Sequence, residues 1–281
     1  SYIITSESCV IDSLGGEFLR DVEPGEMVVI DETGFHSYKS RIKAYNTSMC
    51  IFEYVYVARP DSVIDGVSVH NARFKAGELL YNEHPIDADM VCGVPDSGID
   101  AALGVEKQSG IPYEIGCIKN KYIGRTFISP GQKSRTNQVR IKLNPITNVI
   151  KGKRVVMIDD SIVRGTTCAR IVKLLRNAGA KEIHMRVSAP PFLNPCYYGT
   201  DIDSRDNLIA GHHTVDEIAE IIGVDSLGYL SVENVKKIAC GDLGKGYCTA
   251  CFDGDYPTEV PTETHKSKFE CKISERQKEK K

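Results

Sequence analysis

A chain of 281 residues, 41% hydrophobic and 26% charged, can bury one substantial core and still leave residues for a second unit. Its net charge of −3 and pI near 6.2 supply no global field for nucleic acid or an anionic membrane, so phosphate binding would have to be built locally. No apolar run approaches the roughly 18 to 20 residues that cross a bilayer, and the opening SYIITSESCV is not a secretory leader, so a cytoplasmic protein is expected.

The chain opens on Ser1 and enters a strand-like stretch without a Met, so further sequence is expected upstream. Residues 1–48 hold short apolar runs such as Met27-Val28-Val29-Ile30, separated by turn signals at Leu14-Gly15-Gly16, Glu23-Pro24-Gly25 and Glu32-Thr33-Gly34. This predicts a small β-rich unit. From about residue 50 apolar strands alternate with helical segments, the pattern of βαβ units around a parallel sheet. The α/β core is read as 49–232, and 233–281 as a C-terminal extension with a flexible, mixed-charge tail from about His265.

Within the core, Met90-Val91-Cys92-Gly93-Val94 predicts a strand, followed by the turn Pro95-Asp96-Ser97-Gly98 and a helix that ends near Gly110. The same grammar returns at Val155-Val156-Met157-Ile158, a buried strand, then a loop over 159–165 and a helix from Thr166 to Ala178 closed by Gly179. Ile171, Leu174, Leu175 and Ala178 keep its helical period. A further strand runs from Ile183 to Val187 and stops before Pro190-Pro191. A later helix opens on the capping box Thr214 and Glu217.

The stretch from Val155 to Thr167 is the most informative. A buried strand delivers Asp159 and Asp160 to its C-terminal edge, where ligands bind in open α/β sheets. Gly165 permits a tight turn, and the free amides of a helix starting at Thr166 and Thr167 suit a phosphate. A sugar phosphate fits both ends, with the carboxylates aimed at ribose hydroxyls or a hydroxyl-bound cation. The plain alternative is an acidic strand end followed by an ordinary capped helix. Cys248-Thr249-Ala250-Cys251 has metal-ligand spacing, but the pair alone also suits a redox disulfide, half of a zinc site, or no function. The ten cysteines are too few for a disulfide-dense secreted scaffold.

The string DDSIVRGTT resembles the phosphoribosylpyrophosphate (PRPP) signature of type I phosphoribosyltransferases, in the form found in the amidophosphoribosyltransferases. The likeness spans nearly the whole chain. Val94-Pro95-Asp96-Ser97-Gly98 resembles that family's pyrophosphate loop. The basic stretch Lys119, Lys121, Arg125, Lys133, Arg135, Arg140 and Lys142 resembles its lid, and Arg20 to Glu26 resembles the end of its N-terminal-nucleophile glutaminase domain. The resemblance implies a type I phosphoribosyltransferase fold, with 1–48 as a remnant of the glutaminase domain. It also implies synthesis of 5-phosphoribosylamine from PRPP and glutamine-derived ammonia with release of pyrophosphate, the first committed step of purine biosynthesis.

By the same resemblance, Asp96, Ser97, Gly98, Asp159, Asp160, Ser161, Arg164, Gly165, Thr166 and Thr167 bind PRPP. Ser97, Asp159 and Asp160 hold Mg²⁺, and Lys119, Arg125 and Lys142 act from the lid without a covalent nucleophile. One group of the family carries a structural [4Fe–4S] cluster, and its pattern matches Cys50, Cys196, Cys248 and Cys251. The remaining Cys9, Cys92, Cys117, Cys168, Cys240 and Cys271 default to core thiols. Purine-nucleotide inhibitors and a homo-oligomer are expected partners. Because the family's glutaminase nucleophile is an N-terminal cysteine and Cys9 is not terminal, this chain is expected to use free ammonia rather than hydrolyse glutamine. Two rivals share the phosphate loop: a nucleobase phosphoribosyltransferase, and a regulatory protein that binds PRPP as an effector.

Overall fold

The computed structural model describes residues 1–40, 47–120, 143–202, 204–239 and 246–260. The lid residues Lys121, Arg125, Lys133, Arg135, Arg140 and Lys142, together with Cys240, Cys271 and the tail from His265, lie outside those ranges.

The N-terminal unit begins with a short helix, α1 (Ser8–Ser13), where apolar runs had pointed to strands; Leu14-Gly15-Gly16 ends this helix rather than joining two strands. Strands β1 (Met27–Asp31) and β2 (Gly34–Tyr38) then form an antiparallel hairpin, with Asp31 opposite Gly34. Strand β3 (Ser48–Cys50) leads into one π turn, Glu53–Val57, whose closing bond runs from the Ala58 amide to the Glu53 carbonyl at 3.0 Å. A two-residue pair, β4 (Val63–Ile64) with β5 (Val67–Ser68), precedes helix α2 (Val69–Glu83).

Strand β6 (Met90–Gly93) is followed by helix α3 (Ile99–Ser109), which stops at left-handed Gly110 as expected. A short antiparallel pair, β7 (Cys117–Lys119) with β8 (Leu143–Pro145), brackets residues 121–142. Then come β9 (Arg154–Asp159), the helix Thr166–Asn177, β10 (Glu182–Val187), the helix Val215–Ile222 and β11 (Ser226–Tyr229). The Thr214–Glu217 capping box is present at the start of the Val215 helix. Strand β12 (Gly246–Cys248) closes the described chain, with the short helix Ala250–Asp253 after it.

The four principal strands form one parallel sheet in the order β11-β10-β9-β6. Strand β9 is central, so both of its faces are covered, which is why its sequence is continuously apolar rather than alternating. Even so, its side chains divide with period two. Val155 and Met157 enter a core with Ile171, Leu175, Ile183 and Met185, while Val156 and Ile158 enter the opposite core with Ala101, Ala102 and Val105 of α3. Each of these large side chains contributes about 1.5–3 kcal/mol by leaving water. A third core, around Ile51, Tyr54, Leu80, Phe192 and Phe252, joins the π turn and α2 to the C-terminal residues. There β12 pairs in parallel with β3 and places Cys248 opposite Cys50.

Candidate functional site

The site is assembled where β6 and β9 end. The Val94 amide donates to the Ile158 carbonyl at 2.8 Å, which carries the strand pairing one residue past β6 and delivers the 95–98 turn to the tip of β9. Gly98 is required there: a Cβ on it would overlap the Ile158 carbonyl oxygen. With that close approach, the Ser97 hydroxyl donates to Asp160, and so does the Ser161 hydroxyl. The Asp160 amide donates to the Asp159 carboxylate at 3.0 Å, and the Cys168 thiol lies 3.6 Å from the other Asp159 oxygen.

Both acids are only 7% exposed. Burial pushes each carboxyl above its usual range. For Asp159 the neighbouring charge of Asp160 adds to the rise, while the hydroxyls of Ser161 and Ser97 hold Asp160 down in part. Two buried carboxylates served only by hydroxyl, thiol and amide donors form a hard-oxygen set that a divalent cation would relieve, so the residues fit Mg²⁺ in their chemistry.

Beyond the acids the chain turns at Gly165, whose φ of +73° lies in the left-handed region, and the Thr166 helix begins without a side-chain cap. A Cβ on Gly165 would also come within 2.8 Å of Ile209 Cδ1. The first amides of this helix have no intrahelical acceptor, and Arg164, Thr166 and Thr167 are exposed beside them. Free amides of this kind suit an anion, and they lie in the loop that follows the acid pair. Asp96, exposed at the 95–98 turn, forms an ion pair with Lys119 of β7.

The structure therefore gathers Ser97, Asp159, Asp160 and Ser161 into one bonded cluster, with Gly98 packed against the Ile158 carbonyl, Arg164 to Thr167 adjoining in the same loop and Asp96 paired with Lys119. Sequence reasoning missed Cys168 beneath Asp159, although helical period from Gly165 turns that position toward the sheet.

The four expected cluster cysteines come from β3, the 192–196 segment and the 246–253 region. Cys50 faces Cys248 across the β3–β12 ladder, and the Cys251 carbonyl accepts the amides of Leu193 and Asn194, each at 3.0 Å. Burial pushes the Cys50 thiol up to about 11, with the nearby Cys248 adding to it; Cys251 is raised by burial and by Cys50, Cys196 and Cys248. No disulfide joins the described cysteines. Thiols are the soft donors that an iron–sulfur cluster takes, so the residue types fit one in chemistry. Among the described residues, however, no three His, Cys, Asp or Glu side chains are gathered closely enough to hold a metal ion.

A parallel sheet flanked by helices, with an acid pair and a glycine-turned loop at the carboxyl end of its central strand, defines a type I phosphoribosyltransferase fold. A family model described as the phosphoribosyl transferase domain matches residues 69–209, about half of the chain, and the chain belongs to that family. It is similar to the amidophosphoribosyltransferase of Archaeoglobus fulgidus, 52% identical over 263 residues that cover 93% of this chain and 57% of that protein. The Bacillus subtilis amidophosphoribosyltransferase is 50% identical over 267 residues, covering 94% of this chain and 56% of its own length. The chain thus spans a little over half the length of these relatives.

Two solved structures resemble it closely. One, of an allosteric regulatory enzyme of purine biosynthesis, has a TM-score of 0.84 and 50% identity over 92% of this chain and 56% of that one. The other, glutamine PRPP amidotransferase from B. subtilis complexed with ADP and GMP, has a TM-score of 0.82 and 50% identity over 92% of this chain and 57% of that one.

Proposed function

We propose that this chain is the phosphoribosyl-transfer part of an amidophosphoribosyltransferase, converting PRPP and ammonia to 5-phosphoribosylamine and pyrophosphate in purine biosynthesis, with glutamine as the ammonia source in the whole protein. The observation that carries this reading is the buried Asp159–Asp160 pair, held by Ser97 and Ser161 between the close turn at Gly98 and the uncapped helix behind Gly165. Similarity near 50% over more than nine-tenths of the chain supports the choice of amidophosphoribosyltransferase among the uses of such a loop.

In this reading Arg164 to Thr167 cradle the 5′-phosphate, while Asp159 and Asp160 orient the ribose hydroxyls. Asp96, Ser97 and Gly98 face the pyrophosphate, and Lys119 reaches it from the edge of the lid, which also contains Arg125 and Lys142. The C1–N bond forms as the C1–O bond breaks, pyrophosphate leaves with the electron pair, and the new amine loses a proton to water. Positive charge builds on the ribose ring as this happens, so buried carboxylates beneath the sugar and excluded water favour the transition state. Mg²⁺, held by Asp159, Asp160 and Ser97, would supply neutralisation of the departing pyrophosphate.

Cys50, Cys196, Cys248 and Cys251 would hold a structural [4Fe–4S] cluster that ties β3 to the C-terminal residues, remote from the transfer chemistry. Inhibition by purine nucleotides and assembly with further copies of the chain complete the proposal. Residues 1–48 are the end of a glutaminase unit, 49–232 the transferase and 233–281 its extension.

The test is to supply PRPP, Mg²⁺ and ammonium and to follow pyrophosphate. Ammonia-dependent release matching the PRPP consumed supports the enzyme. Binding without turnover would instead favour a regulatory protein that senses PRPP.

A further inference from the structure

Cys168 takes no part in the chemistry above, yet its thiol bonds the acid pair directly. The sulfur lies 3.6 Å from Asp159 Oδ2, within the reach of an S–H donor, while Oδ1 of the same carboxylate accepts the Asp160 amide at 3.0 Å. Among the described residues it is the one thiol or hydroxyl that donates to the Asp159 carboxylate. With a donor on each oxygen, the plane of that carboxylate is set.

The contact also joins two elements of the site. Asp159 ends β9, and Cys168 stands third in the helix that follows Gly165, its side chain buried while Thr166 and Thr167 before it stay exposed. Between the two runs the loop 160–165, tied further by the Ser161 hydroxyl on Asp160 and by the Ile209 amide on the Val163 carbonyl at 2.9 Å. The thiol is thus a direct bond from the strand that carries the acids to the first turn of the helix whose free amides follow Gly165.

The surroundings explain why a thiol serves. Cys168 is 3% exposed and lies in the same core as Ile171, Val172 and Leu175. A thiol is a small apolar group with one weak donor, so it fills such a core at little cost and still offers a proton to the acid. A hydroxyl donates more strongly but loses more on leaving water, and a methyl donates nothing. Packing and hydrogen bonding therefore rank substitutions at this position differently.

We infer that Cys168 is a positioning residue of the PRPP site: its S–H fixes the orientation of the Asp159 carboxylate and ties the acid pair to the start of the Thr166 helix. The inference rests on the PRPP reading above.

The test is calorimetric titration with PRPP·Mg²⁺ of the whole chain, of Cys168→Ala and Cys168→Ser, and of the near-isosteric pair Cys168→Val and Cys168→Thr, alongside melting curves. The second pair carries the test should either smaller residue fail to fold. Cys168→Ala and Cys168→Val are expected to lose about 10-fold in affinity, as the loss of a supporting partner does. Cys168→Ser and Cys168→Thr, which restore a donor, are expected to bind within about threefold of the unsubstituted chain although the buried hydroxyl lowers their melting temperatures. A thiol that only fills the core would instead make affinity follow the melting temperature. Equal affinity within each pair, or full affinity in Cys168→Ala, overturns the inference. If the unsubstituted chain binds no PRPP, the parent reading fails, and this inference with it.

Discussion

The runs Met27-Val28-Val29-Ile30 and Val155-Val156-Met157-Ile158 carry the same strand signal but occupy opposite surroundings. The second is fully buried at the centre of a parallel sheet, with one helical layer on each face. The first lies in a two-stranded hairpin where Met27, Val29 and Ile30 stay exposed. They are joined there by Tyr2, Ile4, Leu14, Phe18, Leu19 and Val22 of the same N-terminal unit. An apolar run therefore specifies a strand but not its burial, which depends on neighbours along both edges and a layer over each face. Polar bonds join the N-terminal unit to the rest, the Arg59 amide and Ser62 hydroxyl donating to Glu7 and the Val63 amide to Ser8.

The contrast can be broken or sharpened by substitution. The largest effect is expected for Gly98→Ala, where the new methyl meets the Ile158 carbonyl: a loss of about 3 kcal/mol or more in urea unfolding, together with lost PRPP binding. Next, Leu175→Ala, at a site with 0% exposure, should cost about 2–5 kcal/mol. Leu19→Ala, 69% exposed, should stay within about 0.5 kcal/mol; equal costs would mean the N-terminal unit is packed after all. Thr214→Ala removes the capping box of the Val215 helix and should cost about 1 kcal/mol.

The last effect reverses the sign. Burial raises the carboxyls of Asp159 and Asp160, so the folded state holds their protons more tightly than the unfolded chain does. Stability from this pair is greatest when both are protonated, and it falls as pH rises from the ordinary carboxylate range through their raised values. Asp159→Asn should therefore raise the melting temperature at neutral pH, and the gain should shrink as pH falls. A gain that does not vary with pH would refute burial as the cause.

Much of the transferase was legible in the sequence because its signals are local. The strand Val155–Ile158, the acids after it, the turn at Gly165, the end at Gly110 and the Thr214 capping box each lie within a few consecutive residues. What stayed hidden depends on contacts between distant segments. The π turn at Glu53–Val57 is held by Arg73 from another element, and Cys168 matters only because its helix folds back beneath Asp159. Helix α1 was obscured because its apolar residues, Val10 and Ile11 among them, fit a short strand as well as a single helical turn or two. Cys50 and Cys248, nearly 200 residues apart and set opposite each other by the β3–β12 ladder, were brought together in the sequence only by the family resemblance and by no local pattern.

The most direct measurement is calorimetric titration of PRPP with Mg²⁺ into the chain and into the Asp159→Asn, Asp160→Asn double variant. Because the substitutions relieve buried charge, the variant should remain folded at neutral pH, so a change in affinity reports on the site itself. The account predicts saturable binding by the unsubstituted chain and a loss of about 100-fold in the variant. Equal affinity in the two proteins would contradict the assignment of the acid pair to the sugar.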